Sequence, residues 1–204
     1  MTTLGILASG RGSNCEAILH AITEGRLAAR VGLILSDRPD APVLAMAARL
    51  GAPARYLDPG RPGARLTPQG EESYVQALRD AGVEWVALAG FMRILGEVFL
   101  DSFPERVVNI HPSLLPAFPG LHAQRQALEH GVKVAGCTVH FVDRGVDTGP
   151  IILQAAVPVL DEDTEDVLAA RILAEEHRLY PEALGLLASG RLRRDGRRVL
   201  SLQR

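Results

Sequence analysis

At 204 residues, 47% hydrophobic and 23% charged, the chain has the size and composition of one globular domain, with or without a small appendage. A formal net charge of −2 gives no electrostatic basis for nucleic acid as the main partner. No basic stretch leading into an apolar run and cleavage site opens the sequence, and no apolar run reaches about 18 residues, so a cytoplasmic protein without a membrane partner is expected.

Leu4-Gly5-Ile6-Leu7-Ala8 is a buried-strand pattern. Ser9-Gly10-Arg11-Gly12-Ser13-Asn14 follows at once, and then a helical pattern runs through Ala17, Ile18, Ala21 and Ile22. Strand, glycine-rich turn and helix together aim backbone N–H groups at an anion, helped by the positive end of the helix dipole. Gly10 and Gly12 let the backbone come close to a phosphate, while Ser13 and Asn14 add side-chain donors and can cap the helix. Cys15 stands where the dinucleotide fingerprint needs its third glycine, and no Lys-Ser/Thr completes a P-loop. A tight βα turn that binds nothing fits the same residues; a monophosphate site is the preferred reading. Cys15 and Cys137 lie far apart, outside any CxxC or Cys/His metal spacing, which suits a reduced protein.

A second strand is expected over 31–35, a helix through Val43, Leu44, Ala47 and Leu50, and a short third strand over 53–57. Residues 58–68, rich in Pro, Gly and Arg, read as the most mobile surface loop. A helix over 69–81 puts Tyr74, Leu78 and Ala81 on one face, and a fourth strand over 83–89 exits into the apolar loop 90–95. This alternation predicts an α/β fold: a doubly wound, mostly parallel, Rossmann-like sheet flanked by helices.

Arg106-Val107-Val108 leads a fifth strand into Asn109-Ile110-His111-Pro112, after which Pro116 and Pro119 stiffen the loop. Ligands of such sheets bind outside the carboxyl ends of strands, so a donor amide and a proton-carrying imidazole at that tip suggest chemistry. By itself Asn-x-His also suits a turn or a satisfied surface pair. A helix through Gln126 and Leu128 ends at Gly131, and strands over 134–142 and 151–159 flank a loop holding Asp143 and Asp147, acids that a turn alone would explain. An amphipathic helix over 163–180, with Thr164 as N-cap, is expected to end before Pro181, with Glu175, Glu176 and His177 near its end. The tail from Gly190 reads as a short strand pair or a frayed end without function.

Ser9-Gly-Arg-Gly-Ser-Asn14, Gly90-Phe-Met-Arg-Ile-Leu95, Asn109-Ile-His-Pro-Ser-Leu-Leu-Pro116, Pro119-Gly-Leu-His122 and Asp147-x-Gly-Pro-x-Ile152, in this order and spacing, resemble the folate-dependent formyltransferases over nearly the whole chain. The resemblance implies one formyltransferase domain over 1–204, its N-terminal half binding a phosphorylated nucleotide and its C-terminal half carrying a folate loop and closing strands and helix. It implies transfer of the formyl group of 10-formyltetrahydrofolate, a co-substrate, to the glycyl amine of 5'-phosphoribosylglycinamide in purine synthesis. Asn109, His111 and Asp147 would be catalytic. Gly12, Ser13, Asn14 and Glu176 would bind the nucleotide. Met92, Arg93, Ile94, Leu95, Asp143 and Val146, with Asn109 and Asp147, would meet the folate, and Leu100, Val107 and Val142 would line its pocket.

The family's frequent basic folate contact at the start of the third helix is replaced here by Glu71, and Arg65 in the preceding loop could substitute. No metal is implied, since no ligand cluster joins His122 or His140. The implied partners are small molecules, with the chain a monomer or weak homodimer. A deformylase would use the same three catalytic residues on water but carries an added N-terminal domain, and a transferase acting on methionyl-tRNA an added C-terminal one; neither is the expected reading of this sequence. A non-catalytic Rossmann-like module would not need all three residues. A nicotinamide dehydrogenase would have only Asp37 as its ribose acid.

Overall fold

The computed structural model describes residues 1–60 and 63–202. Seven strands form one mostly parallel sheet flanked by helices, in the order β3-β2-β1-β4-β5-β6-β7, with a separate pair β8-β9. The strands are β1 Thr2–Leu7, β2 Ala29–Ser36, β3 Ala54–Tyr56, β4 Trp85–Leu88, β5 Val107–His111, β6 Val134–Phe141, β7 Ile151–Pro158, β8 Leu192–Asp195 and β9 Arg198–Ser201. The helices are α1 Ser13–Thr23, α2 Pro42–Arg49, α3 Pro68–Asp80, α4 Glu97–Ser102, α5 Ala123–Glu129 and α6 Glu165–Ala188. No helix among the described residues is long and apolar enough to cross a membrane. The chain divides into two compact units, Met1–Asn109 and Ile110–Arg204.

In the first unit β1 pairs in parallel with β2 on one side and β4 on the other. The chain thus winds outward from β1 to β3, then returns to start again at β4, which makes the ends of β1 and β4 the switch point where such sheets take ligands. The continuous apolar runs explain the parallel pairing, because β1 after Thr2 and the last four residues of β2 are buried. Leu4, Ile6, Leu7, Ile34, Leu35, Tyr74 and Leu78 form the core.

Helix α4 has no counterpart among the expected elements. It is six residues long, opens at Gly96 and has no cap from its own sequence. Its N-terminus is held by Glu71 of α3: Oε1 accepts from the Gly96 N–H at 2.5 Å and Oε2 from the Phe99 N–H at 3.0 Å. Glu71 is therefore buried inside its unit as a helix cap, rather than displayed where a folate contact would need it. Around the surface loop, Ala64 accepts from the Ile94 N–H and Arg65 bridges Ile94, which ties this part to the loop at 90–95. Arg61 and Pro62, part of the same expected mobile loop, lie outside the described residues.

In the second unit β6 and β7 pair antiparallel, with a bulge between Val139 and His140. β7 alternates buried and exposed positions, the pattern of a strand with one covered face. Helix α6 overruns its expected end, continuing through Pro181 to Ala188. Proline inside a helix costs about 3 kcal/mol through a lost hydrogen bond and ring clash. Leu179, Tyr180, Pro181, Ala183, Leu184 and Leu187 are all buried, and each large apolar side chain so covered returns roughly 2 kcal/mol. Tertiary burial therefore outweighs the local stop signal. Thr164 caps this helix as expected, accepting from the Val167 N–H.

Candidate active site

His111 is the last residue of β5 and Asp147 sits in the loop between β6 and β7. Nδ1 of His111 lies 3.3 Å from Oδ2 of Asp147, and both side chains are nearly buried. The same Oδ2 accepts from the Gly120 N–H at 2.8 Å. The other carboxylate oxygen, Oδ1, is 3.6 Å from Nε2 of His140. Each imidazole turns its remaining nitrogen to a backbone carbonyl: His111 Nε2 to Phe118 O at 2.9 Å, and His140 Nδ1 to Phe141 O at 2.8 Å. One carboxylate thus stands between two histidines, each anchored from behind.

Burial pushes the Asp147 carboxyl upward, but the bonds from His140 and the Gly120 N–H, with the nearby His111, outweigh it and hold the pKa below the ordinary value. For His111 the balance falls the other way. Desolvation lowers its pKa and wins over the upward pull of the Phe118 carbonyl and Asp147, so the resting imidazole is neutral near pH 7. Asp147 does raise the His111 pKa, as an opposite charge should; burial reverses the net direction.

The loop's backbone is built around Asp147. It adopts φ 54°, a left-handed conformation that costs a non-glycine residue on the order of 1 kcal/mol and that Asp tolerates better than most. A Cβ on Gly149 would strike the Phe141 carbonyl and one on Gly145 the Thr148 hydroxyl, so both glycines are required by space. Asp143 Oδ1 accepts from the Gly145 N–H at 3.1 Å and the Thr148 hydroxyl at 2.6 Å, which uses that carboxylate to close the loop. Val146 is exposed on the same loop.

In the first unit, the glycine-rich loop and the loop at 90–95 leave adjacent strands and are tied together. The Ser9 N–H donates to Gly90 O at 3.0 Å, and the Met92 N–H to Ser9 Oγ at 2.9 Å. Gly12 is the N-cap of α1 at φ 80°, and a Cβ there would collide with Val43. Helix α1 therefore starts without a side-chain cap, the arrangement in which first-turn N–H groups serve an anion. Ser13 and Asn14 are its first two residues.

Among the residues expected to meet folate, Met92 and Arg65 are exposed, Ile94 is half-buried and Leu95 is buried. Arg93 is spent on structure: its Nε donates to Asp37 Oδ2 at 2.7 Å, and Nη1 reaches the Gly63 carbonyl. Asp37, largely buried by this pair, is not presented as a ribose acid. Leu100 and Val107 belong to the core of their unit, Val142 is half-buried, and so is Asn109. Glu176 is buried on α6 near Cys137, whose thiol is pushed up to about 12 by burial first and by this carboxylate second.

The Phe118 carbonyl and the Gly120 N–H have no role in the sequence reading, and His140 enters it only as a zinc ligand that is set aside; among the described residues no group of three His, Cys, Asp or Glu is arranged for a metal. The bulge before His140 re-aims its side chain, and nothing in Thr138-Val139-His140 announces a bulge.

A family model described as formyl transferase matches residues 3–184. The trifunctional purine biosynthetic protein adenosine-3 of Drosophila pseudoobscura pseudoobscura is 47% identical over 94% of this chain, which spans only 14% of that relative. A phosphoribosylglycinamide formyltransferase of Bacillus subtilis (strain 168) is 41% identical, covering 90% of this chain and 93% of its own length. The crystal structure of glycinamide ribonucleotide transformylase 1 from Symbiobacterium toebii superimposes with a TM-score of 0.94 at 56% identity, over 100% of this chain and 95% of that one. Matched through most of its length to a family model and to a relative of its own size, the chain belongs to the formyl transferase family.

Proposed function

We propose that this protein transfers the formyl group of 10-formyltetrahydrofolate to the glycyl amine of 5'-phosphoribosylglycinamide, a step in the de novo synthesis of the purine nucleotide IMP. The observation that carries the mechanism is the Asp147 carboxylate held against His111 by the Gly120 N–H and His140. The family match and the single-activity relatives support the substrates.

The amine nitrogen attacks the formyl carbon, a C–N bond forms, and the carbonyl electron pair moves onto oxygen. That oxyanion takes the place of the Phe118 carbonyl as the acceptor at His111 Nε2, with the amide N–H of Asn109, two residues earlier on β5, as a second donor. Asp147 accepts the proton released by the amine, through a water, and passes it to His111. Because burial keeps the resting imidazole neutral, with its proton on Nε2, the proton that Asp147 delivers to Nδ1 makes it cationic, and His111 then gives the Nε2 proton to the folate nitrogen as the C–N bond to it breaks. No net proton is consumed, and no metal is required.

The chain acts as one domain over 1–204. Gly12, Ser13, Asn14 and Glu176 hold the nucleotide, its phosphate on the first turn of α1. Met92, Arg93, Ile94, Leu95 and Val146 take part in binding the folate, and Arg65 supplies the cation for the donor's carboxylate end. The test is a spectrophotometric assay of folate release from a 10-formyl donor, run with and without phosphoribosylglycinamide. Release that depends on the amine is the expected result. Release at one rate in both reactions would make water the acceptor and the protein a hydrolase.

A further inference from the structure

We infer that the C-terminal hairpin, which lies beyond the family match ending at residue 184, is a positioning element for the Asp147 loop, acting through Arg197. The register of β8 with β9 pairs Asp195 with Arg198, so Gly196 and Arg197 alone form the turn. Gly196 has φ 59°, the positive value that a two-residue hairpin turn needs at its first position. Arg194 Nε donates to Gly196 O at 2.9 Å, and the Leu202 N–H closes the base onto Arg191 O at 2.8 Å. This geometry puts Arg197 at the tip, where its Nη2 donates to the Thr148 carbonyl at 2.8 Å.

Thr148 follows Asp147 directly, and its hydroxyl ties the loop internally to Asp143. The internal bond joins two points of the loop itself, and the Gly120 N–H holds the Asp147 side chain; the bond from Arg197 holds the loop backbone from outside. A guanidinium donor makes it charge-assisted and stronger than a neutral pair. It acts one residue from a backbone held at positive φ, the kind of conformation that persists only when its surroundings over-determine it. β9 also lies against β7, the strand into which the loop feeds. The function of this brace rests on the reading of Asp147 as a catalytic residue.

The test compares the full-length protein with Arg197→Ala and Arg197→Lys, by hydrogen exchange of amides 145–149 and by steady-state kinetics. In Arg197→Ala, exchange in this window should rise about 5-fold or more, as for loss of one charge-assisted hydrogen bond, while α6 stays unchanged. kcat should fall about 3- to 10-fold, with KM for the nucleotide within about 2-fold, because a catalytic group displaced by a fraction of an ångström loses turnover first. Arg197→Lys, which keeps a cationic donor, should recover most of both. Unchanged exchange in Arg197→Ala would overturn the brace, and faster exchange with unchanged kcat would reduce the hairpin to a cover and overturn its positioning role. If Asp147→Asn itself keeps full activity while exchange responds as stated, the reading of Asp147 has failed rather than the brace.

Discussion

Replacing Asp147 by Asn is expected to lower kcat by about three orders of magnitude and to leave KM for phosphoribosylglycinamide within a few-fold, as measured by steady-state kinetics at saturating donor. The substitution keeps the size of the side chain, and the Gly120 N–H can still find an oxygen. What disappears is the negative charge between His111 and His140. An amide cannot accept the amine's proton, and one of its two faces now donates toward an imidazole. Acid–base groups placed in this way contribute roughly 10²- to 10⁴-fold, and the phosphate binding proposed at the first turn of α1 does not depend on them. A loss of less than 10-fold would exclude Asp147 from the proton path.

The same pair makes stability depend on pH. His111 and Asp147 both have folded pKa values below their unfolded ones, so in each window the unfolded chain binds more protons. Their stabilising contributions are complete above about pH 6.5. The His111 part is lost as pH falls below that value, and the Asp147 part follows below about pH 4.

Glu71→Ala is expected to have the second large effect, on stability: about 3 kcal/mol should be lost in urea denaturation, through two buried N–H groups left without their charged acceptor. Gly96 and Phe99 belong to the start of α4, where the helix dipole adds to the cost. The residue lies 4% exposed, so water does not replace the carboxylate cheaply. Restoring a basic side chain at this position would be worse, since it would bring a buried cation against the positive end of α4. Because the loop at 90–95 leads directly into α4, KM for the folate donor should rise in the same variant. A loss below 1 kcal/mol would mean that solvent already reaches these amides.

The particular elements show what a sequence can and cannot tell. The parallel strands were readable because burial on both faces demands continuous apolar runs, and the ends of β1 and β4 followed from their order. Helix α4 was hidden because its cap arrives from Glu71, on another helix, and local pattern carries no sign of it. Pro181 misled for the opposite reason: a local rule was overruled by burial of its neighbours. At the candidate site, Asn109 and His111 were suggested by their place at a strand tip, while Asp147, which a turn alone would explain, stood out only as a member of the ordered motifs. His140 and Arg197 reach the loop through a bulge and a hairpin tip, geometry that appears only when strands pair. Arg93 was visible as a polar residue beside a ligand loop, but not as the partner of a buried Asp37.

The two cysteines have a practical consequence. Cys15 and Cys137 are both 0% exposed, and burial raises each thiol to about 12. Neither forms appreciable thiolate at neutral pH, so alkylating reagents and oxidants meet an unreactive protein. One cysteine lies in each compact unit. Reaction at either sulfur therefore requires that its own unit open, and the native chain carries two internal reporters whose labelling rates record the opening of the two units separately.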